Sequence, residues 1–130
     1  MPDIMVSHKG DMLFEARTGD HIMEIDVPAS VGGKNRAATP LDVFAMSLAS
    51  CIGAMAVIFC KNSNMETAGI TVKMTCDKLS NPARLTNFRA TLDVPGGVPE
   101  TRREPLLRTA RLCPVHATMK HAEGVEIKLA

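Results

Sequence analysis

The chain has 130 residues, 45% hydrophobic and 22% charged, with a formal net charge of +1. That length supports one domain with a core of its own, without disulfide staples. A near-neutral balance gives no electrostatic reason to expect nucleic acid or an anionic membrane as partner. With no Trp or Tyr and four Phe, there is little from which to build a stacking platform for bases.

The opening MPDIMVSHKG has no basic segment followed by an apolar run, so no secretory signal is expected and the reading is cytoplasmic. The first third then alternates. Met12, Phe14 and Ala16 oppose Leu13, Glu15 and Arg17; after a Thr-Gly-Asp turn at 18–20, Met23, Ile25 and Val27 oppose Ile22, Glu24 and Asp26. Period-two patterning predicts a β-hairpin or meander with one solvated face. Residues 28–38 (PASVGGKNRAA) read as a loop. Gly32-Gly33 lacks the strand–turn–helix context and the Lys-Ser/Thr of a phosphate-binding loop.

A helix is predicted next. Thr39 suits the N-cap, Pro40 the first helical position, and Asp42 complements the positive helix start. From Val43 to Cys60, 18 positions carry no charge, which is the lower edge of a membrane span. Ser47, Ser50 and Gly53 make the run rich in small residues, no second run exists, and amphipathic strands flank it. The expectation is therefore the buried central helix of a compact protein or dimer, not a membrane segment. Asn62, Ser63 and Asn64 end it.

Strands resume after the helix. Ile70, Val72, Met74 and Cys76 share one face, and Thr86, Phe88, Ala90, Leu92 and Val94 share another, with Asn81-Pro82 as the turn between. Residues 99–112 predict a short amphipathic helix carrying Leu106, Leu107 and Ala110, and a second follows Pro114. The last run, VEIKLA, places Val125, Ile127 and Leu129 on one face and predicts a closing strand. Strand runs separated by helices in this way give an α+β class, read as a single domain over residues 1–130.

Four cysteines are present: Cys51, Cys60, Cys76 and Cys113, at spacings of 9, 16 and 37. There is no CxxC pair, which excludes a zinc ribbon or thioredoxin-type motif. Cys76 in an apolar strand row and Cys60 at a helix end read as structural. Cys51, in SLASCIGAM, has room around its sulfur from Ser47, Ser50 and Gly53. Cys113 precedes Pro114 and so falls at an N-cap, where unpaired N–H groups and the dipole favour a thiolate; Arg108, Arg111 and His116 lie nearby in sequence. Cys113, His116 and His121 supply three zinc-type ligands but no fourth. His8 and His21 read as solvated.

TPLDVFAMSLASC (residues 39–51), followed 62 residues after Cys51 by CPVHATM (residues 113–119), resembles the OsmC/Ohr family, the osmotically inducible protein C and organic hydroperoxide resistance proteins. The likeness runs from residue 11 to residue 130. It implies an OsmC-like α+β fold with antiparallel sheets wrapped around a long central helix in an intertwined homodimer. It also implies thiol-dependent reduction of organic hydroperoxides without a bound cofactor or metal. By position Cys51 would be the peroxidatic thiolate and Cys113 the resolving thiol, with an external, lipoyl-like dithiol as reductant. The family's thiolate-stabilising arginine falls to Arg17, with Arg36 the weaker candidate. The glutamate that holds this arginine should follow the helix-starting proline, yet Leu41 stands there with Asp42 one residue on. That departure keeps a second reading open, a non-catalytic protein that binds a small apolar or thiol-containing ligand in the same cleft.

Overall fold

The computed structural model describes residues 1–130, in the order β1 (Ile4–His8), β2 (Phe14–Thr18), β3 (His21–Ile25), a 3-10 turn (Ala29–Val31), α1 (Pro40–Asn62), β4 (Thr71–Ser80), β5 (Ala83–Asp93), α2 (Glu100–Ala110) and α3 (Pro114–His121). This is the α+β arrangement expected, with two antiparallel sheets and three helices. The chain divides into two compact units, Met1–Ala45 and Met46–Ala130.

In the first unit β1, β2 and β3 form an antiparallel meander. The β2–β3 hairpin closes on the pair Thr18 and His21, leaving Gly19-Asp20 as its turn, with Gly19 at φ +56° where glycine meets no steric penalty. The Gly pair expected in the loop is explained by two separate demands. Gly32 ends the 3-10 turn in the left-handed region, and a Cβ on Gly33 would collide with the carbonyl oxygen of Val27.

Asp26 departs from the expected pattern. Alternation assigned it to the solvated face, yet it is 0% exposed. The loop folds over it instead. Its Oδ1 accepts the Val27 N–H at 2.8 Å; its Oδ2 accepts from the Arg36 N–H at 3.1 Å and Nε at 3.0 Å, and from the Lys34 N–H at 3.4 Å. Burial alone raises the carboxyl's pKa, but donation from the Arg36 and Val27 backbone, the Arg36 side chain and the Lys34 backbone overrides it and brings Asp26 to about 2.

The second unit contains the β4–β5 hairpin and most of α1. Asn87 and Phe88 together face Cys76 at a register shift between Thr75 and Asp77. Asn87 takes φ +54° there, a left-handed conformation that Asn tolerates at a bulge. Ala56, Cys60 and Leu106 form the buried centre, with Phe59, Ile70, Leu92 and Val98 packed around them.

Two expectations are corrected. The long helix forms with the start expected, but only Leu48, Ala56 and Cys60 are buried along it. It is long and apolar enough to cross a membrane by length and composition, with mean hydropathy 2.3 and only 17% of its most apolar window buried. One chain supplies cover for one face of the helix and leaves Phe44, Met46 and Ile58 exposed. The second correction concerns VEIKLA, which forms no strand: residues 122–130 carry no regular structure, and Val125, Ile127 and Leu129 are exposed. A strand is defined by its pairing partner, and this segment has none within the chain.

Candidate thiol site

The start of α1 is fixed by a reciprocal cap. The Asp42 N–H donates to Thr39 Oγ1 at 3.1 Å, and the Thr39 N–H donates to Asp42 Oδ2 at 3.0 Å. The two bonds satisfy groups that a helix start leaves unpaired, and donation from Thr39, its backbone N–H first and its side chain second, holds the Asp42 carboxyl below its usual pKa. Three turns on, α1 presents Cys51, half-buried.

Cys113 arrives from the other end of the unit. Leu106 of α2 sits against Ala56 and Cys60 of α1, so the chain leaving α2 runs back along α1 toward Cys51. There Cys113 forms the N-cap of α3 with Pro114 at the first helical position, and its Sγ accepts the His116 N–H at 3.5 Å. The position at the cap is the one expected from Cys-Pro. Cys113 is 0% exposed, and its side chain hydrogen-bonds that of Cys51. Both thiols are free.

The expected low pKa of Cys113 is overturned. Burial raises it, and the hydrogen bond to Cys51 adds to the rise; donation from the His116 and Val115 N–H groups opposes both and does not offset them. The helix-start effect falls off within a turn and is a modest term, whereas desolvation of a fully buried anion is large. Burial therefore disfavours the Cys113 thiolate, and Cys51 is the more accessible sulfur of the pair.

The other cysteines are separate from this pair. Cys60, near the end of α1, is wholly buried and its thiol is pushed up by desolvation. Cys76 is half-buried at the bulge of the β4–β5 hairpin, where the ion pair of Arg89 with Asp77 at 3.2 Å occupies the neighbouring surface. No three His, Cys, Asp or Glu side chains converge in a way that could hold a metal. His121 instead pairs its Nδ1 with the Ala117 carbonyl at 2.9 Å. His8 pairs with the Asp11 carbonyl at 2.7 Å and lies against Phe14.

Of the two arginine candidates, Arg17 on β2 is half-exposed and meets Glu15 at 3.5 Å. Arg36 is committed to buried Asp26 and also reaches Asp11 at 3.4 Å. Leu41 is exposed and has no carboxylate, and the Asp42 Oδ2 accepts the Thr39 N–H at the helix cap. Asp26 was missed by sequence reasoning. Its one signal was a carboxylate directly before Val27-Pro28 and the Gly pair.

A family model described as OsmC-like protein matches residues 33–129. The chain belongs to the OsmC-like family. Solved OsmC-like structures resemble it along most of its length. A Psychrobacter arcticus protein described in terms of osmotic stress induction and a detoxification response is 25% identical, at TM-score 0.84, over 91% of this chain and 88% of that one. An organic hydroperoxide resistance protein of Legionella pneumophila is 17% identical, at TM-score 0.64, over 92% and 90%. OhrB of Bacillus subtilis, an organic hydroperoxide resistance protein, is 16% identical, at TM-score 0.60, over 92% of each chain. At identities of 16 and 17% the last two show the shared fold. A search of curated proteins finds none of significant similarity.

Proposed function

We propose that this OsmC-like protein is a thiol-dependent hydroperoxide reductase that works through Cys51 and Cys113. The observation that carries the reading is the contact of two free thiols, one half-buried on α1 and one fully buried at the N-cap of α3. Similarity in fold to organic hydroperoxide resistance proteins supports a role in hydroperoxide resistance.

In this reading the Cys51 thiolate attacks the distal peroxide oxygen. An S–O bond forms, the O–O bond breaks, and the leaving alkoxide takes a proton to become an alcohol. The Cys51 sulfenic acid is then attacked by the Cys113 thiolate. An S–S bond forms, and hydroxide leaves and is protonated to water. An external dithiol, of lipoyl type, reduces the disulfide by exchange and is itself oxidised. Arg36, held by Asp26, stays structural.

A homodimer completes the proposal. The uncovered face of α1, with Phe44, Met46 and Ile58, and the unpaired row Val125, Ile127 and Leu129 are apolar surfaces of one chain, and a second copy is the occupant proposed for both.

The test is a mass map after one equivalent of an alkyl hydroperoxide. A Cys51–Cys113 disulfide is expected, absent in Cys51→Ser and replaced by a trapped sulfenic acid in Cys113→Ala. Both thiols unmodified after peroxide would reject the catalytic reading in favour of a ligand-binding one.

A further inference from the structure

An open cavity of about 480 Å³ lies between β5 and α2. One wall is the strand segment Ala90–Val94; the other is Arg103, Leu106 and Leu107 of α2, with Val98 where the chain turns from one to the other. Side chains alternate across a strand, so a cavity touching consecutive residues runs along the strand's edge and not over one face. That edge is open. The sheet holds two strands, β4 is the one neighbour of β5, and alternate N–H and C=O groups on the other side of β5 have no strand to pair with. The apolar part of the lining is firmly seated, since Leu92, Val94 and Val98 pack against buried Ala56, Cys60 and Leu106. Two opposite charges complete it, the Asp93 carboxylate on β5 and the Arg103 guanidinium on α2. They are not paired with each other, and neither takes part in any other ion pair or side-chain hydrogen bond.

We infer that this groove binds a short peptide with free ends, a tripeptide with an apolar central side chain. The strand edge supplies partners for its amide groups, as when an extended peptide adds a strand to a sheet. Its carboxylate meets Arg103, whose planar fork matches a carboxylate in two parallel hydrogen bonds, and its ammonium meets Asp93. Its apolar side chain rests on Leu92, Val98 and Leu107. An extended tripeptide spans about 10 Å and the segment Ala90–Val94 about 13 Å, so the ligand's length fits the edge. A single amino acid offers the two charges but no amide between them for the strand. The inference goes beyond the hydroperoxide reading and does not depend on the thiol pair.

The probe is the tripeptide Ala-Leu-Ala, titrated into the reduced full-length protein. Methyl resonances of Leu92, Val98 and Leu107 should shift saturably, while that of Leu48, in the wall of a different cavity, should not. Arg103→Gln should weaken the free-ended probe at least about fivefold and leave binding of its C-terminal amide unchanged, because the amide has no carboxylate to lose. Asp93→Asn should weaken the free-ended probe by a similar factor and leave binding of its N-acetylated form unchanged. Both positions are exposed, so neither substitution touches the core. No saturable shift, binding of free leucine as tight as that of the tripeptide, or variants that weaken free and blocked peptides alike would each overturn the inference. Shifts of the same methyls on raising protein concentration without peptide, which Ala-Leu-Ala does not reverse, would place residues 122–130 of a second copy in the groove and overturn it as well.

Discussion

In the proposed reaction, burial of Cys113 sets how disulfide closure depends on pH. The attacking species is the thiolate, and burial together with Cys51 holds the Cys113 thiol above its ordinary value of 9.0. Once Cys51 is a sulfenic acid its contribution changes, but desolvation, the larger cause, remains. Below its pKa a thiol gains about tenfold in ionised fraction per pH unit, so closure should accelerate by about 50- to 100-fold between pH 7 and pH 9 without levelling. A thiol lowered to about 7 by the helix start alone would give about a twofold rise over the same range. The assay is rapid mixing of reduced protein with one equivalent of cumene hydroperoxide, an acid quench at set times, and the mass loss of disulfide formation. Cys60→Ser/Cys76→Ser removes the uninvolved thiols. A rate that levels off below pH 8 would refute the assignment of Cys113 as a desolvated thiol.

Asp26 has a folded pKa of about 2 against an ordinary 3.8, so its stabilising contribution is present above pH 3.8 and is lost as pH falls through 2. Asp26→Asn should lower the urea midpoint clearly at pH 7, and its gap to wild type should shrink between pH 4 and pH 2; a constant gap would count against the buried ion pair. Thr39→Ala should cost about 1 kcal/mol, and a double-mutant cycle with Asp42→Ala should give a coupling above about 0.5 kcal/mol, because the two side chains cap each other. Leu106→Ala should cost about 2–3 kcal/mol, the lower part of the range for a buried leucine. Leu106 also lines an open cavity of about 480 Å³ beside Leu92, Val98 and Arg103, so part of its surroundings is already free to relax; a loss above about 4 kcal/mol would contradict that account. Ile58→Glu, on the uncovered face of α1, should shift the protein from dimer to monomer in analytical ultracentrifugation, and an unchanged mass would remove that face from the proposed interface.

What was legible from the sequence was local. Period-two alternation marked β2 to β5, and Thr39-Pro40 and Cys113-Pro114 fixed the starts of α1 and α3 to the residue, because cap and proline chemistry act within a few positions. Cys51 and Cys113 were legible as a pair only through their resemblance to the OsmC/Ohr pattern. Nothing in the 61 intervening residues encodes their approach except the docking of Leu106 on Ala56 and Cys60. Tertiary structure alone decided the rest. It buried Asp26 under a loop that alternation could not see, since side-chain period says nothing about what folds back over a strand end. It reversed the expected acidity of Cys113, because the helix start is a sequence-local effect and desolvation depends on everything packed around the sulfur. It also left VEIKLA unpaired, because alternation establishes that a segment can be a strand, and only a neighbouring strand makes it one.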